Sequence, residues 1–334
     1  MSAAPLLQIR HLRVTHRSAA HAHAIEVLHG VDLSLRPGEI LGLAGESGSG
    51  KTQLLLAILA LSGARAERHG SIRYRDQELL GLPGAQMNRI RGARIGMIFQ
   101  DPAHALNPYL TVGRQLTETL QAHRDCPRRE AERRALEMLE AVHLAEAARR
   151  LRQYPHELSG GMRQRVMIAM ALIAEPDIVL ADEPTTALDV TVQAQILRLL
   201  LELRERTGVA ILLVTHDMGV IAELADRVAV MYAGRVVEQG PVQTMFADPL
   251  HPYTQALQAC VPRPDRPAPA RLASIAGGPP DPTALPAGCA FAARCIYRLD
   301  QCDVHNPELL PRGPDHWAAC HHRGPLDDRQ RGLR

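Results

Sequence analysis

The segment Gly45-Glu46-Ser47-Gly48-Ser49-Gly50-Lys51-Thr52 combines spaced glycines with one ammonium and a hydroxyl beside it. These residue types at this spacing form a P-loop. The glycines let backbone N–H groups turn inward around phosphate oxygens, the lysine reaches the β- and γ-phosphates, and the threonine hydroxyl ligates Mg²⁺. A helix opening at Lys51 adds the positive end of its dipole. Composition sharpens the reading: of 38 basic residues 37 are Arg, and Lys51 is the only Lys. On an exposed face the two are near-equivalent, but a compact ammonium at a phosphate is not replaced by a longer, planar guanidinium. The single lysine stands where that difference counts, which a fortuitous glycine-rich turn does not explain.

A second constellation supplies the acids. Ile178-Val179-Leu180-Ala181-Asp182-Glu183 is an apolar run ending in adjacent carboxylates. Asp182 is suited to hold Mg²⁺, usually through water, because magnesium prefers hard oxygen ligands. Glu183 can polarise the water that attacks the γ-phosphate. Two acids at a strand end alone read as a solvated loop; with a P-loop in the same chain they read as half of a hydrolytic site.

These groups need elements to carry them. Glu39–Ala44 predicts a short apolar strand running into the glycine-rich turn, and Gln53–Leu61 predicts the helix beyond it. Asp177–Ala181 and Ala210–Thr215 are continuous apolar runs, as expected of buried parallel strands. Val190–Thr207 has the length and spacing of the crossover helix between them. Near the start, Leu6–Val14 alternates like a strand, and Ile25–Leu35 reads as another, broken at Leu28-His29-Gly30. A His- and Ala-rich loop, His16–His23, separates the two. Thr111–Arg152, rich in Ala, Glu, Arg and Leu at helical spacing, predicts a helical insert. Strands alternating with helices imply an α/β layered domain with a largely parallel sheet. Val261–Gly288 contains eight prolines and reads as a connector. Cys289–Cys320 is cysteine-rich and poor in core-forming residues, and reads as a small second module. No internal repeat is visible, so a single ATPase unit is expected.

The chain has 334 residues, 46% hydrophobic, with formal net charge +2. That is ample for a core and lacks the basic surplus of a nucleic-acid binder. The longest apolar runs, Met167–Ala174 and Ala210–Val214, fall far short of the ~18 to 20 residues that span a bilayer. Met1–Arg10 has no apolar stretch of signal-peptide length. The chain is expected to be soluble and to stay where it is made.

Leu158-Ser159-Gly160-Gly161-Met162-Arg163-Gln164-Arg165 resembles the signature motif of ABC ATPases. Physically, Ser159 and the Gly160 and Gly161 amides at a helix start form a second anion cradle. The resemblance implies that this cradle closes on nucleotide held by another subunit. Other landmarks match in order. Gln100, in Ile98-Phe99-Gln100-Asp101-Pro102, matches the Q-loop glutamine that senses Mg²⁺ and the permease. Asp189, in Ala187-Leu188-Asp189, matches the D-loop, and His216, in Val214-Thr215-His216-Asp217, matches the switch histidine of the γ-phosphate. The family commonly stacks adenine on an early aromatic residue; this chain has none before Tyr74, and His16 is the nearest candidate. His16, His21 and His23 also read as a metal patch or as an exposed loop.

The implied architecture is an α/β P-loop ABC ATPase domain over residues 1–258, with a RecA-like core, an antiparallel β part and a helical subdomain at about 103–158. A Pro-rich connector, 259–288, and a Cys-rich tail, 289–334, follow. Several stretches resemble peptide and nickel importers: Leu106-Asn107-Pro108, Tyr154-Pro155-His156-Glu157, Thr185–Leu197 and His251-Pro252-Tyr253-Thr254. The tail, with Pro286-Ala287-Gly288-Cys289, Phe291, Arg294-Cys295, Cys302 and Cys320, resembles the di- and oligopeptide branch. The resemblance implies ATP and Mg²⁺ as ligands and a peripheral place on the cytoplasmic side of the inner membrane. Its implied partners are a second ATPase subunit, expected as a paralogous heterodimer partner, two permease subunits and an external peptide-binding protein, with no nucleic acid. The ATPase of a nickel or other small-solute importer and a soluble ABC ATPase outside transport are the alternative readings.

ATP use implies a reducing compartment, where Cys289, Cys295, Cys302 and Cys320 are not expected to form disulfides. Their spacing matches neither a ferredoxin run nor a zinc ribbon. The resemblance implies a [4Fe–4S] cluster on the four; zinc, with His316 or His321, and free thiols are the alternatives. Because Lys51 belongs to the other module, changes in the tail are expected to affect nucleotide binding less than assembly with partners.

Overall fold

The computed structural model describes residues 4–17, 24–186, 188–260, 274–324 and 326. The chain divides into two compact units, one centred on Gly81–Val214 with Leu35–Glu39, the other gathering Pro5–Ser34, Ile40–Leu80 and Thr215–Arg334.

In the first unit, Ile95–Ile98, Ile178–Asp182 and Ala210–Val214 pair in parallel, with Ile95 opposite Ile178 and Ile178 opposite Ala210. Every residue of the last two strands is buried, which is why their sequence is apolar without alternation. Val190–Thr207 crosses between them, capped by the Asp189 carboxylate at its start and by Gly208, with φ near +70°, at its end. The expected helical insert resolves into Val112–Gln121, Arg128–Ala141 and Ala147–Arg150. Its apolar stripes are Leu116 and Leu120 on one helix and Ala131, Ala135 and Leu139 on the next, at the four-residue spacing that puts side chains on one face.

In the second unit an antiparallel sheet runs in the order Ala24–Leu35, Leu7–Arg17, Ala66–Tyr74, Gln77–Glu78. Ala24–Leu35 is one continuous strand, and Gly30, at φ +77°, lies inside it where a break was expected. Ala66–Tyr74 was hidden in the sequence because AERHGSIRY has little apolar alternation; it pairs antiparallel with the first strand, Leu7 facing Tyr74, with a register shift between Arg10 and Arg13.

The same unit holds Ile40–Ala44 in parallel with Arg227–Tyr232, followed antiparallel by Arg235–Pro241. The Cys-rich tail extends this arrangement. His316–Ala318 pairs with Arg235–Pro241, Glu238 facing Ala318, and Leu310–Gly313 pairs with His316–Ala318. The tail also shares the unit's core. Phe291, 1% exposed, packs 5.3 Å from both Tyr232 and Tyr253, edge-on to the former. Buried Glu238 ties the pieces together, accepting from the Leu250 and His251 amides and from His316 Nε2 at 2.8 Å. Among the described residues no helix is long and apolar enough to cross a membrane.

Candidate active site

The strand Ile40–Ala44 delivers the chain to Gly45, and the helix Lys51–Ile58 carries it away. Gly45 has φ near +150°, and a Cβ there would collide with the Met231 carbonyl oxygen. Gly50, at φ +102°, would press a Cβ to 2.9 Å from Leu28. Only glycine allows this turn. Lys51 is buried, and its Nζ donates to the Gly45 carbonyl at 2.8 Å and the Glu46 carbonyl at 2.9 Å. The ammonium is thus held against the loop by the loop's own carbonyls. Thr52 follows in the first helical turn and is exposed, so its hydroxyl suits a hard cation.

In the first unit, Asp182 ends its strand buried at 3% exposure. Glu183 turns the chain with φ +45°, a conformation disfavoured for a residue with a Cβ. Its amide donates to the Val214 carbonyl at 2.9 Å, which holds the turn. One carboxylate oxygen, Oε2, accepts from Gln100 Nε2 at 3.1 Å and from the Thr186 hydroxyl at 2.8 Å. Two residues singled out in sequence, Gln100 and Glu183, therefore meet. Thr186 is a third member that sequence reasoning passed over; its signal was the threonine pair one proline beyond the acids. A buried aspartate beside an oriented glutamate is a donor set for Mg²⁺ and a water-polarising base.

Ser159 caps the helix Gly160–Leu172, its Oγ accepting from the Met162 amide at 3.4 Å. Ser159 and Gly160 are exposed, so the helix start is open to a ligand. A Cβ on Gly161 would lie 2.8 Å from Val192. Asp189 caps the neighbouring helix, accepting from the Val192 amide at 2.9 Å.

Family models match in two places: ABC transporter over residues 28–186, and oligopeptide/dipeptide transporter, C-terminal region, over residues 237–302. The chain is 45% identical to the oligopeptide transport ATP-binding protein OppD of Salmonella typhimurium, over 94% of this chain and 93% of that one. It belongs to the ABC transporter family. OppD of Mycobacterium tuberculosis is 47% identical over 95% of this chain and 52% of its own length. Among solved structures, the dimeric post-hydrolysis ATP-binding cassette MJ0796, bound to ADP and Pi, matches with TM-score 0.63 and 31% identity. That match covers 71% of this chain and 98% of the cassette.

In this ABC ATPase the switch candidate His216 is exposed, just before Asp217, which caps the helix Met218–Leu224. His16, the candidate for adenine, sits near the end of its strand with Nε2 2.9 Å from Gln53 Oε1 on the P-loop helix. His21 and His23 lie outside the described residues, as does Ala187 of the D-loop.

The tail departs from expectation. Among the described residues no group of three or more His, Cys, Asp or Glu is arranged to hold a metal ion. Burial pushes the Cys295 thiol up to about 12 and the Cys320 thiol to about 11, and raises Cys289. The neutral thiols are poor ligands until a metal displaces the protons. His316 is engaged by Glu238, and His321 Nε2 lies 2.9 Å from the His305 carbonyl oxygen, so neither histidine joins the thiols. Nor is the tail remote from the phosphate loop. Arg294 forks onto the Glu46 carboxylate at 2.7 and 3.0 Å, and the Glu46 amide donates to the Tyr253 hydroxyl at 2.8 Å. Both contacts were missed from sequence. They join residues far apart in the chain, and the only hint was that Tyr253 and Arg294 fall within segments resembling importer ATPases.

Proposed function

We propose that this chain is the ATP-hydrolysing subunit that energises uptake of di- and oligopeptides, bound at the cytoplasmic face of the inner membrane. The observation that carries the reading is the likeness to OppD over nearly the whole of both chains, tail included. Its partners in this proposal are a second, paralogous ATPase, two permease subunits and, through them, an external peptide-binding protein.

Each residue then has a role. The P-loop amides of Gly45, Glu46, Ser47, Gly48, Ser49 and Gly50 and the Lys51 ammonium hold the β- and γ-phosphates. Thr52, Asp182 and Gln100 hold the Mg²⁺, which when bound offsets phosphate charge. Glu183 polarises the attacking water, kept in orientation by Gln100 and Thr186. His216 contacts the γ-phosphate, and His16 lies against adenine. Ser159, Gly160 and Gly161 cap the nucleotide of the partner subunit. Catalysis on this plan is positioning and charge stabilisation, with no covalent intermediate. Uptake of labelled dipeptides, longer peptides and nickel by vesicles carrying the assembled transporter tests it: ATP-dependent entry of peptide is expected, and entry of nickel alone overturns the peptide assignment.

For the tail we propose, on the same resemblance, a [4Fe–4S] cluster on Cys289, Cys295, Cys302 and Cys320. Its support is the number of thiols and the resemblance of the tail to the oligopeptide/dipeptide transporter C-terminal region. They do not form a ready ligand set, and no step of hydrolysis passes through them.

A further inference from the structure

Glu46 is an awkward residue to find in a loop that receives a triphosphate. Its backbone is part of the cradle, since its carbonyl accepts from Lys51 Nζ at 2.9 Å. Its carboxylate is a fixed negative charge among groups meant to attract anions, and like charges in a partly dry site repel strongly. The structure answers that charge from the tail. Arg294, its side chain 5% exposed, meets both Glu46 carboxylate oxygens in a bidentate fork, the strongest arrangement open to this pair.

Arg294 is itself immobilised. Its Nε donates to the Ala276 carbonyl at 2.9 Å, one terminal nitrogen to the Ile275 carbonyl at 3.3 Å, and the other to the Tyr232 hydroxyl at 3.3 Å. The guanidinium carbon lies 5.9 Å from the centre of the Tyr232 ring and 5.8 Å from that of Phe291, in reach of cation–π attraction. Tyr253 packs on the same rings and accepts from the Glu46 amide. Glu46 is thus held at its carboxylate, its amide and its carbonyl, two of the three by residues beyond 250 in the chain.

We infer that Arg294 is a positioning residue of the nucleotide loop: it neutralises and pins the Glu46 carboxylate so that the loop accepts a triphosphate. The tail is by this account a working part of the ATP site. The inference rests on the reading of Gly45–Thr52 as that site.

Binding of a non-hydrolysable Mg-ATP analogue to the full chain tests it. Arg294→Gln should raise Kd by about tenfold or more, the equivalent of ~1.4 kcal/mol. KM for ATP should rise in step, while kcat falls less. Adding Glu46→Gln to Arg294→Gln should return Kd to within about threefold of wild type, because the unmasked charge is gone. A merely structural arginine gives no such rescue. Unchanged affinity in folded Arg294→Gln, or a double variant no better than the single, overturns the inference. Should Arg294→Gln fail to fold, Glu46→Asp decides, since it withdraws the carboxylate from the fork without touching the tail. It should weaken binding by about threefold or more, and wild-type affinity would overturn the proposal. A wild-type chain that binds no analogue is a different failure, of the nucleotide-site reading itself.

Discussion

Gln100 donates from its side-chain amide to Glu183 Oε2 across 3.1 Å, joining a residue that follows one strand to a residue that follows the next. The Thr186 hydroxyl donates to the same oxygen. Two donors from separate segments therefore meet on Oε2 and fix the direction of the carboxylate.

Glu183→Gln should leave Mg-ATP binding intact and lower steady-state turnover by about 10²-fold or more, the usual worth of a positioned base. The amide preserves shape but cannot take a proton. Hydrolysis and nucleotide affinity, measured side by side in the assembled transporter, check this; near-normal turnover removes Glu183 from the role.

Lys51→Arg should weaken Mg-ATP binding by about tenfold or more, although arginine serves everywhere else in the chain. Lys51 Nζ fits between two loop carbonyls at 2.8 and 2.9 Å, and a planar fork on a longer stem does not. Affinity equal to wild type would reduce the solitary lysine to coincidence.

His251 gives stability a pH signature. Burial lowers its pKa from 6.5 to about 3, while its Nδ1 accepts from the Tyr253 amide at 3.0 Å. Between those two values the unfolded chain binds a proton that the folded chain refuses. The contribution is complete above pH 6.5 and falls by at most about 1.4 kcal/mol per unit as pH drops toward 3. His251→Asn keeps an acceptor for the Tyr253 amide and loses the titration. Urea midpoints from pH 7 to pH 4 should decline less steeply in the variant; equal slopes would exclude His251 as the source.

Protein purified without oxygen should be brown and carry iron and sulfide near four each per chain if the tail cysteines hold a cluster. Colourless protein with about one zinc per chain supports the alternative. Neither metal leaves four protonated thiols and withdraws the cofactor.

Much of the fold was legible because its signals are local. The strand, glycine turn and helix around Lys51 are contiguous, and Ile178–Asp182 and Ala210–Val214 announce burial on both faces by lacking polar residues. The crossover helix Val190–Thr207 came out residue for residue. The strand Ala66–Tyr74 was not legible, because it is recruited by its partner Leu7–Arg17 rather than by its own pattern. The tail misled for a related reason. It looks core-poor when counted alone, yet Phe291 completes an aromatic cluster begun by Tyr232 and Tyr253. Likewise Glu46 reads as one variable position of a P-loop until Arg294, 248 residues on, is seen against it.

The central claim is that this chain spends ATP to move peptides. Its most direct test is steady-state ATP hydrolysis by the transporter in proteoliposomes, with the external binding protein and with or without oligopeptide. Hydrolysis should rise several-fold with peptide and vanish in the Glu183→Gln variant. Hydrolysis that ignores peptide at every length tried, while Glu183→Gln still abolishes it, would keep the ATPase and contradict the importer.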